Sequence, residues 1–153
     1  MLSDIDEAHG LQKALTYRIA RLSARLNRDG SHTLAQAGGP SLTGWRIMAT
    51  VALLGKGTLA SLREKTSLDK ATLSRGLALL EAQGLVSREP NEADRRAPIF
   101  ALTARGASEH RRLLPIMLAR RDRIGSVLDH GERETLSRLL TRLEAGLAGE
   151  MEE

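Results

Sequence analysis

Lys70, Ala71, Thr72, Ser74 and Arg75 put two cations, two hydroxyls and a methyl side chain within six positions of one another. That set suits a polyanion whose edges carry hydrogen-bond acceptors. Lysine meets phosphate as a point charge, hydroxyls bond phosphates or base edges, and the arginine fork matches the paired acceptors of guanine. The short side chains let the backbone come close. A second charged group, Asp94, Arg95 and Arg96, sits in the polar run Asn91 to Arg96, between Pro90 and Pro98. An arginine at the tip of a loop suits a narrow, electronegative minor groove.

Other chemistry has little to work with. There is no cysteine, which removes disulfides, thiolate nucleophiles and thiol redox switching. His9, His32, His110 and His130 include no pair at the i, i+4 spacing that puts two ligands on one helix face, so no metal is expected. His130 and Glu132 flank Gly131 where a helix begins, and capping and solvation account for them. Phosphate-binding glycine loops, nucleophile elbows and paired-carboxylate signatures are lacking, so neither an enzyme nor a cofactor is expected.

The 153 residues, 41% apolar and 27% charged, are enough for one ordinary core. The longest apolar stretch, Ile47 to Leu54, falls far short of the ~20 residues that span a bilayer. Asp4, Asp6 and Glu7 stand where a secretory signal carries positive charge. These features point to a cytoplasmic protein without a membrane partner. The net charge of +4 permits a polyanionic partner but is unevenly spread. Residues 97–128 hold six cations against two carboxylates, and the last 25 residues seven carboxylates against three arginines, so one uniform basic face is not expected.

The elements that must position these groups are mostly helices. Leu11, Leu15, Ile19, Leu22 and Leu26 line one stripe of a first helix, expected to stop near Asp29-Gly30, with a loop from Gly30 to Pro40. Ser41 caps a second helix through Leu54, and Thr58 a short third one, Leu59 to Lys65. Asp69 caps a fourth, whose Leu73, Leu77 and Leu80 share a face until Gly84 ends it. Leu85 to Glu89 and Ile99 to Leu102 form a β-hairpin with a charged tip. Thr103 heads a long helix containing Leu113, Leu114, Met117, Leu118, Ile124, Val127 and Leu128, expected to kink or divide at Pro115. Leu136, Leu140, Leu143 and Leu147 mark a last helix. Its stripe and the first helix's fit an intramolecular core or a dimer seam.

A short helix, a tight turn and a second helix headed by small polar and basic residues is the plan of a helix-turn-helix, and a hairpin directly after it is a wing. The string DKATLSRGLALLEAQGLVSREPNEADRRAPIFALTARG resembles the recognition helix, wing and following helix start of the MarR family of bacterial regulators. PSLTGWRIM resembles the start of that family's second helix. Arg63 and Ser67 depart from its usual small residue and turn glycine. The resemblance runs from about Leu11 to Leu147 and is strongest from Leu62 to Gly106.

It implies a mainly α fold with a small β-hairpin wing (α+β), a winged helix-turn-helix with N- and C-terminal dimerisation helices. Residues 1–40 are then an N-terminal dimerisation helix and linker, 41–103 the DNA-binding lobe, and 104–153 the C-terminal dimerisation helices. Lys70, Ala71, Thr72, Ser74 and Arg75 lie on the recognition helix, and Asp94 and Arg96 fill the Asp-x-Arg wing motif, with Arg95 between them. The implied partners are a second copy, a pseudo-palindromic DNA operator and a small aromatic or anionic effector. Tyr17, Arg21, Trp45 and Arg46 are the implied effector residues, although Trp45 as core and Arg46 as a surface pairing residue is the competing reading. The function so implied is a repressor released by its effector. The alternative is a dimeric interaction protein on the same scaffold without specific DNA binding, suggested by the net charge of only +1 from Thr58 to Arg96.

Overall fold

The computed structural model describes residues 14–149. Its elements are α1 (Leu15–Gln36), α2 (Leu42–Leu54), β1 (Lys56–Thr58), α3 (Leu59–Lys65), α4 (Lys70–Ala82), β2 (Val86–Glu89), β3 (Ile99–Leu102), α5 (Ala104–Gly125) and α6 (His130–Gly149). Leu11, the first position of the apolar stripe, and His9 lie outside the described residues. The chain forms two compact units, divided between Met117 and Leu118 inside α5.

The core of the first unit joins Ile47, Met48 and Val51 of α2, Leu62 of α3, Leu73, Leu77 and Leu80 of α4, and Leu85, Val86 and Phe100 beside or within the sheet. Each fully buried aliphatic side chain contributes roughly 1.5–3 kcal/mol, so this cluster holds α3, α4 and the hairpin in fixed relation. The sheet is antiparallel in the order β1-β3-β2, with Val86 opposite Leu102 and Arg88 opposite Phe100. The strand β1 was not expected from sequence. It has one glycine within it and another just before it, and it carries no apolar run. Pairing with β3 alone makes it a strand, Gly57 lying opposite Phe100.

Two expectations about α1 are corrected. The helix does not stop at Asp29-Gly30 but runs to Gln36, and most of the supposed loop is helical. A helical glycine costs about 1 kcal/mol. Leu34, one turn further, is fully buried against Trp45, Leu113 and Met117, a gain larger than that cost. The helix ends instead at Gly38, whose φ of +64° puts it in the left-handed region. Gly39 N–H donates to Leu34 O at 2.9 Å and Gly38 N–H to Ala35 O at 3.1 Å, closing a Schellman cap.

The remaining caps follow the sequence. Ser41 Oγ accepts from Gly44 N–H at 3.1 Å, Thr58 Oγ1 from Ser61 N–H at 3.3 Å, and Thr103 Oγ1 from Gly106 N–H at 2.9 Å. The helix α5 neither divides at Pro115 nor reaches Leu128. An interior proline costs about 3 kcal/mol, and burial of Leu113 and Met117 on either side offsets it. The helix closes at Gly125, and Val127 and Leu128 fall in the connection before α6. There Asp129 and Glu132 form a reciprocal capping box: Asp129 N–H donates to Glu132 Oε2 at 2.8 Å and Glu132 N–H to Asp129 Oδ1 at 2.9 Å. Among the described residues, no helix is long and apolar enough to cross a membrane.

Candidate nucleic-acid interface

The N-terminal end of α4 is organised by its cap. Asp69 Oδ1 accepts from Thr72 N–H at 2.9 Å while Oδ2 accepts from the Thr72 hydroxyl at 2.6 Å. The hydrogen bond from that hydroxyl, then that from the amide, hold the Asp69 carboxyl below its ordinary value. The bond also commits the hydroxyl's only proton, so Thr72 cannot donate to a phosphate without giving up half of the cap. Of the five α4 residues singled out by sequence, Thr72 is thus a capping residue. Lys70, Ala71, Ser74 and Arg75 are exposed.

Those four fall on two adjacent rows. Lys70 and Ser74, one helical turn apart, line a groove of about 480 Å³ between α3, α4 and the hairpin. Ala71 and Arg75 form the neighbouring exposed row, outside that groove. Arg63 of α3, Arg88 of β2 and Arg96 of the hairpin tip line the same groove, with Glu81 as the carboxylate among them. The groove is therefore basic although the whole lobe is nearly neutral.

Sequence reasoning missed Arg63 and Arg88 as site residues. The two-residue period of a strand was the available signal for Arg88. It puts Arg88 on the face of buried Val86, directed at α4, and its cross-strand neighbour is buried Phe100. Arg63 gave no periodic signal; only the fold brings α3 beside the hairpin.

At the tip, Asp94 Oδ1 accepts from the Arg96 backbone N–H at 2.9 Å, and Ala97 N–H donates to Asp94 O at 3.0 Å. The aspartate acts through the turn: it sets the backbone from which Arg96 projects and does not grip the guanidinium. Asn91 Oδ1 makes a similar turn with Ala93 N–H at 3.1 Å. Arg95 is exposed beside Pro90, Asn91 and Glu92.

The four implied effector residues lie on α1 and α2, in different surroundings. Trp45 is buried with Leu34, Leu113 and Met117, and its ring stacks on His110 with centroids 5.2 Å apart. Partial burial there pushes the His110 imidazole below its ordinary value. Exposed Arg46 donates from Nη2 to Asn27 Oδ1 at 2.8 Å, so its partner is an amide. Along α1, Arg21 lies about 9 Å and Tyr17 about 15 Å from Asn27, the partner of Arg46. His130 pairs with Glu134 at 3.3 Å, and no cluster of metal-ligating side chains occurs among the described residues.

The three-helix lobe with a recognition-type helix, followed by a hairpin carrying a basic tip, defines a winged helix-turn-helix protein. Residues 39–97 match the model of the MarR family. Solved structures agree in fold. A MarR/EmrR family transcriptional regulator from Acinetobacter sp. ADP1 is similar with a TM-score of 0.83 and 22% identity, over 91% of this chain and 98% of that one. A mutant MarR from E. coli complexed with operator DNA is similar at 0.70 and 23%, over 85% and 98%. BpsR of Bordetella bronchiseptica, whose DNA binding is regulated by 6-hydroxynicotinic acid, is similar at 0.80 and 19%, over 87% and 94%. None of the curated proteins matches the sequence. The resemblance to the MarR family thus holds in sequence across residues 39–97, and the chain has the fold of MarR-family transcriptional regulators.

Proposed function

We propose that this protein is a sequence-specific DNA-binding regulator of the MarR type, acting as a dimer on a pseudo-palindromic operator in the cytoplasm. The observation that carries this reading is the meeting of Lys70, Ser74, Arg63, Arg88 and Arg96 in one groove beside the exposed Ala71 and Arg75 row. A duplex entered by α4 in its major groove passes a phosphate strand between that helix and the hairpin, where these cations stand. Arg75 reads a base edge, Lys70 and Ser74 hold backbone, Arg95 meets phosphate, and Arg96 enters the adjacent minor groove. In this reading residues 1–40 and 104–153 supply the dimer and 41–103 the DNA-binding lobe. The protein works by binding and catalyses no reaction.

The role is repression relieved by a small aromatic or anionic effector, which the regulated binding of the Bordetella relative supports. Tyr17, Arg21, Trp45 and Arg46 are the residues proposed to hold that effector.

Fluorescence anisotropy with duplexes tiled across the DNA upstream of the protein's own coding region tests the main reading. Wild type is expected to select one imperfect palindrome. Arg75→Ala is expected to lose roughly 1–3 kcal/mol and to relax discrimination at one base pair. Uniform weak binding to every duplex would favour the interaction-protein alternative.

A further inference from the structure

The exposed row of α4 has a third member besides Ala71 and Arg75. Ala71, Arg75 and Leu79 recur at steps of four, and all three are exposed, Leu79 being 54% exposed. At about 100° per residue each step drifts only about 40°, so they form one row about 12 Å long. Both flanks of the row are occupied. On one side Lys70, Ser74, Leu77, Ala78 and Glu81 line the groove shared with α3 and the hairpin. On the other, α2 packs so closely that a Cβ on Gly76 would collide with Ile47 Cδ1. Leu79 lines neither contact, and the core takes Leu73, Leu77 and Leu80 from this helix instead.

Within residues 41–103 the large apolar side chains that stay exposed are Leu53, at the end of α2, and Leu79. Among the described residues, the others lie on α1, α5 and α6 or in the connection between the last two. Leu79 therefore stands on the surface that meets the duplex, beside Arg75. An aliphatic side chain there forms no hydrogen bond with phosphate or with a base edge. The major groove does present one protruding apolar group, the C5 methyl of thymine. The row is about as long as that groove is wide, so a duplex that meets Ala71 and Arg75 reaches Leu79 as well.

We propose that Leu79 is a specificity-determining residue that reads the C5 methyl group of an operator thymine, about three to four base pairs from the position met by Ala71. This rests on the DNA-binding reading above and assigns one further base position to α4. Contact with the methyl group takes apolar surface of both partners out of water, which a phosphate or an amino group at the same place would not do.

Replacing thymine by deoxyuridine, one operator position at a time, tests it, because the exchange removes the methyl group and leaves every hydrogen-bonding edge in place. Fluorescence anisotropy with wild type is expected to find one thymine per half-site whose methyl group is worth about fourfold in affinity, the value of one methyl removed from water. Leu79→Ala is expected to lose that preference at that position and to keep wild-type sensitivity at every other thymine. Leu79→Met, which keeps an apolar side chain of similar volume, is expected to retain it. Far-UV circular dichroism and sedimentation equilibrium are expected to show both variants folded and associated as wild type is. A wild type that binds its operator but is indifferent to every thymine methyl overturns the proposal alone. So does a preference that survives in Leu79→Ala, or a loss of affinity in that variant that is equal on the thymine and deoxyuridine duplexes. A weakened dimer in Leu79→Ala gives the side chain to a second copy and overturns it too. A wild type that selects no operator overturns the DNA-binding reading and this proposal together.

Discussion

Arg96 stands on the turn built by Asp94, and the two substitutions there should differ in kind. Arg96→Ala removes the charge itself. It should weaken operator binding, most on sites with A·T-rich flanks, and make the salt slope of log K shallower by about one unit. Asp94→Ala leaves the charge and loosens only the turn, since the carboxylate binds the Arg96 N–H. Affinity should fall less, with the salt slope kept. Titrations at several salt concentrations against A·T-flanked and G·C-flanked operators check both, and an unchanged slope for Arg96→Ala would make the wing a solvated hairpin. Asp69 offers a pH test. Its carboxyl is held low by Thr72 in the folded chain, so the cap's contribution is present above the unfolded value and disappears as pH falls through the folded one. Asp69→Ala should therefore lower Tm at neutral pH, with the gap to wild type closing in acid below the ordinary carboxylate range. A gap that persists there would remove ionisation from the explanation. Having no cysteine, the protein should also show no peroxide-driven release of DNA that dithiothreitol reverses.

At the scale of elements, the start of α5 is pinned to the turn that follows α4. Thr103 Oγ1 donates to Gly84 O at 2.7 Å while accepting from Gly106 N–H, and Arg105 Nη1 donates to Gln83 O at 2.9 Å. Helix α5 thus begins against the end of α4. Gly106 makes this approach possible: a Cβ there would sit 1.8 Å from Leu85 O, a backbone atom that no rotamer change can move. Gly106→Ala should cost at least roughly 1–3 kcal/mol, since helix and strand must separate. Urea denaturation measures this, and a variant as stable as wild type would show that the two elements slide freely. The stack of Trp45 on His110 is a second joint, between α2 and α5. Burial disfavours the imidazolium, so the stack contributes stability at neutral pH that is lost as pH falls toward the folded imidazole value. Trp45 is the sole tryptophan, and its fluorescence should report that titration below the ordinary imidazole value. His110→Phe should abolish the titration and keep the joint.

At the scale of the molecule, exposed leucines set the expectation. Leu15 and Leu22 on α1 and Leu136, Leu139, Leu140, Leu143 and Leu147 on α6 are all more than a third exposed. Such a surface is what a second copy covers. Sedimentation velocity at micromolar concentration should give about twice the chain mass of 16.6 kDa, and a monomer at that concentration would remove the twofold placement of two α4 helices on successive major grooves.

The local chemistry of the caps was legible in the sequence, because a cap needs one side chain and an amide two or three residues away. Ser41, Thr58, Asp69 and Thr103 therefore marked the starts of α2, α3, α4 and α5, and the hairpin followed from its apolar runs and proline boundaries. The exposed α4 row and the charged hairpin tip were legible for the same reason, being contiguous in the chain. Contacts between distant segments were not. The reach of α1 past Gly30 depended on a cavity for Leu34 formed with α2 and α5, and β1 existed only once β3 lay beside it. Arg63 and Arg88 came to line one groove with Lys70 and Arg96 when the buried leucines closed α3, α4 and the sheet on one another. Spacing along a helix shows which side chains share a face. The tertiary core alone decided which faces meet, because its energy comes from burying surface contributed by residues far apart in sequence.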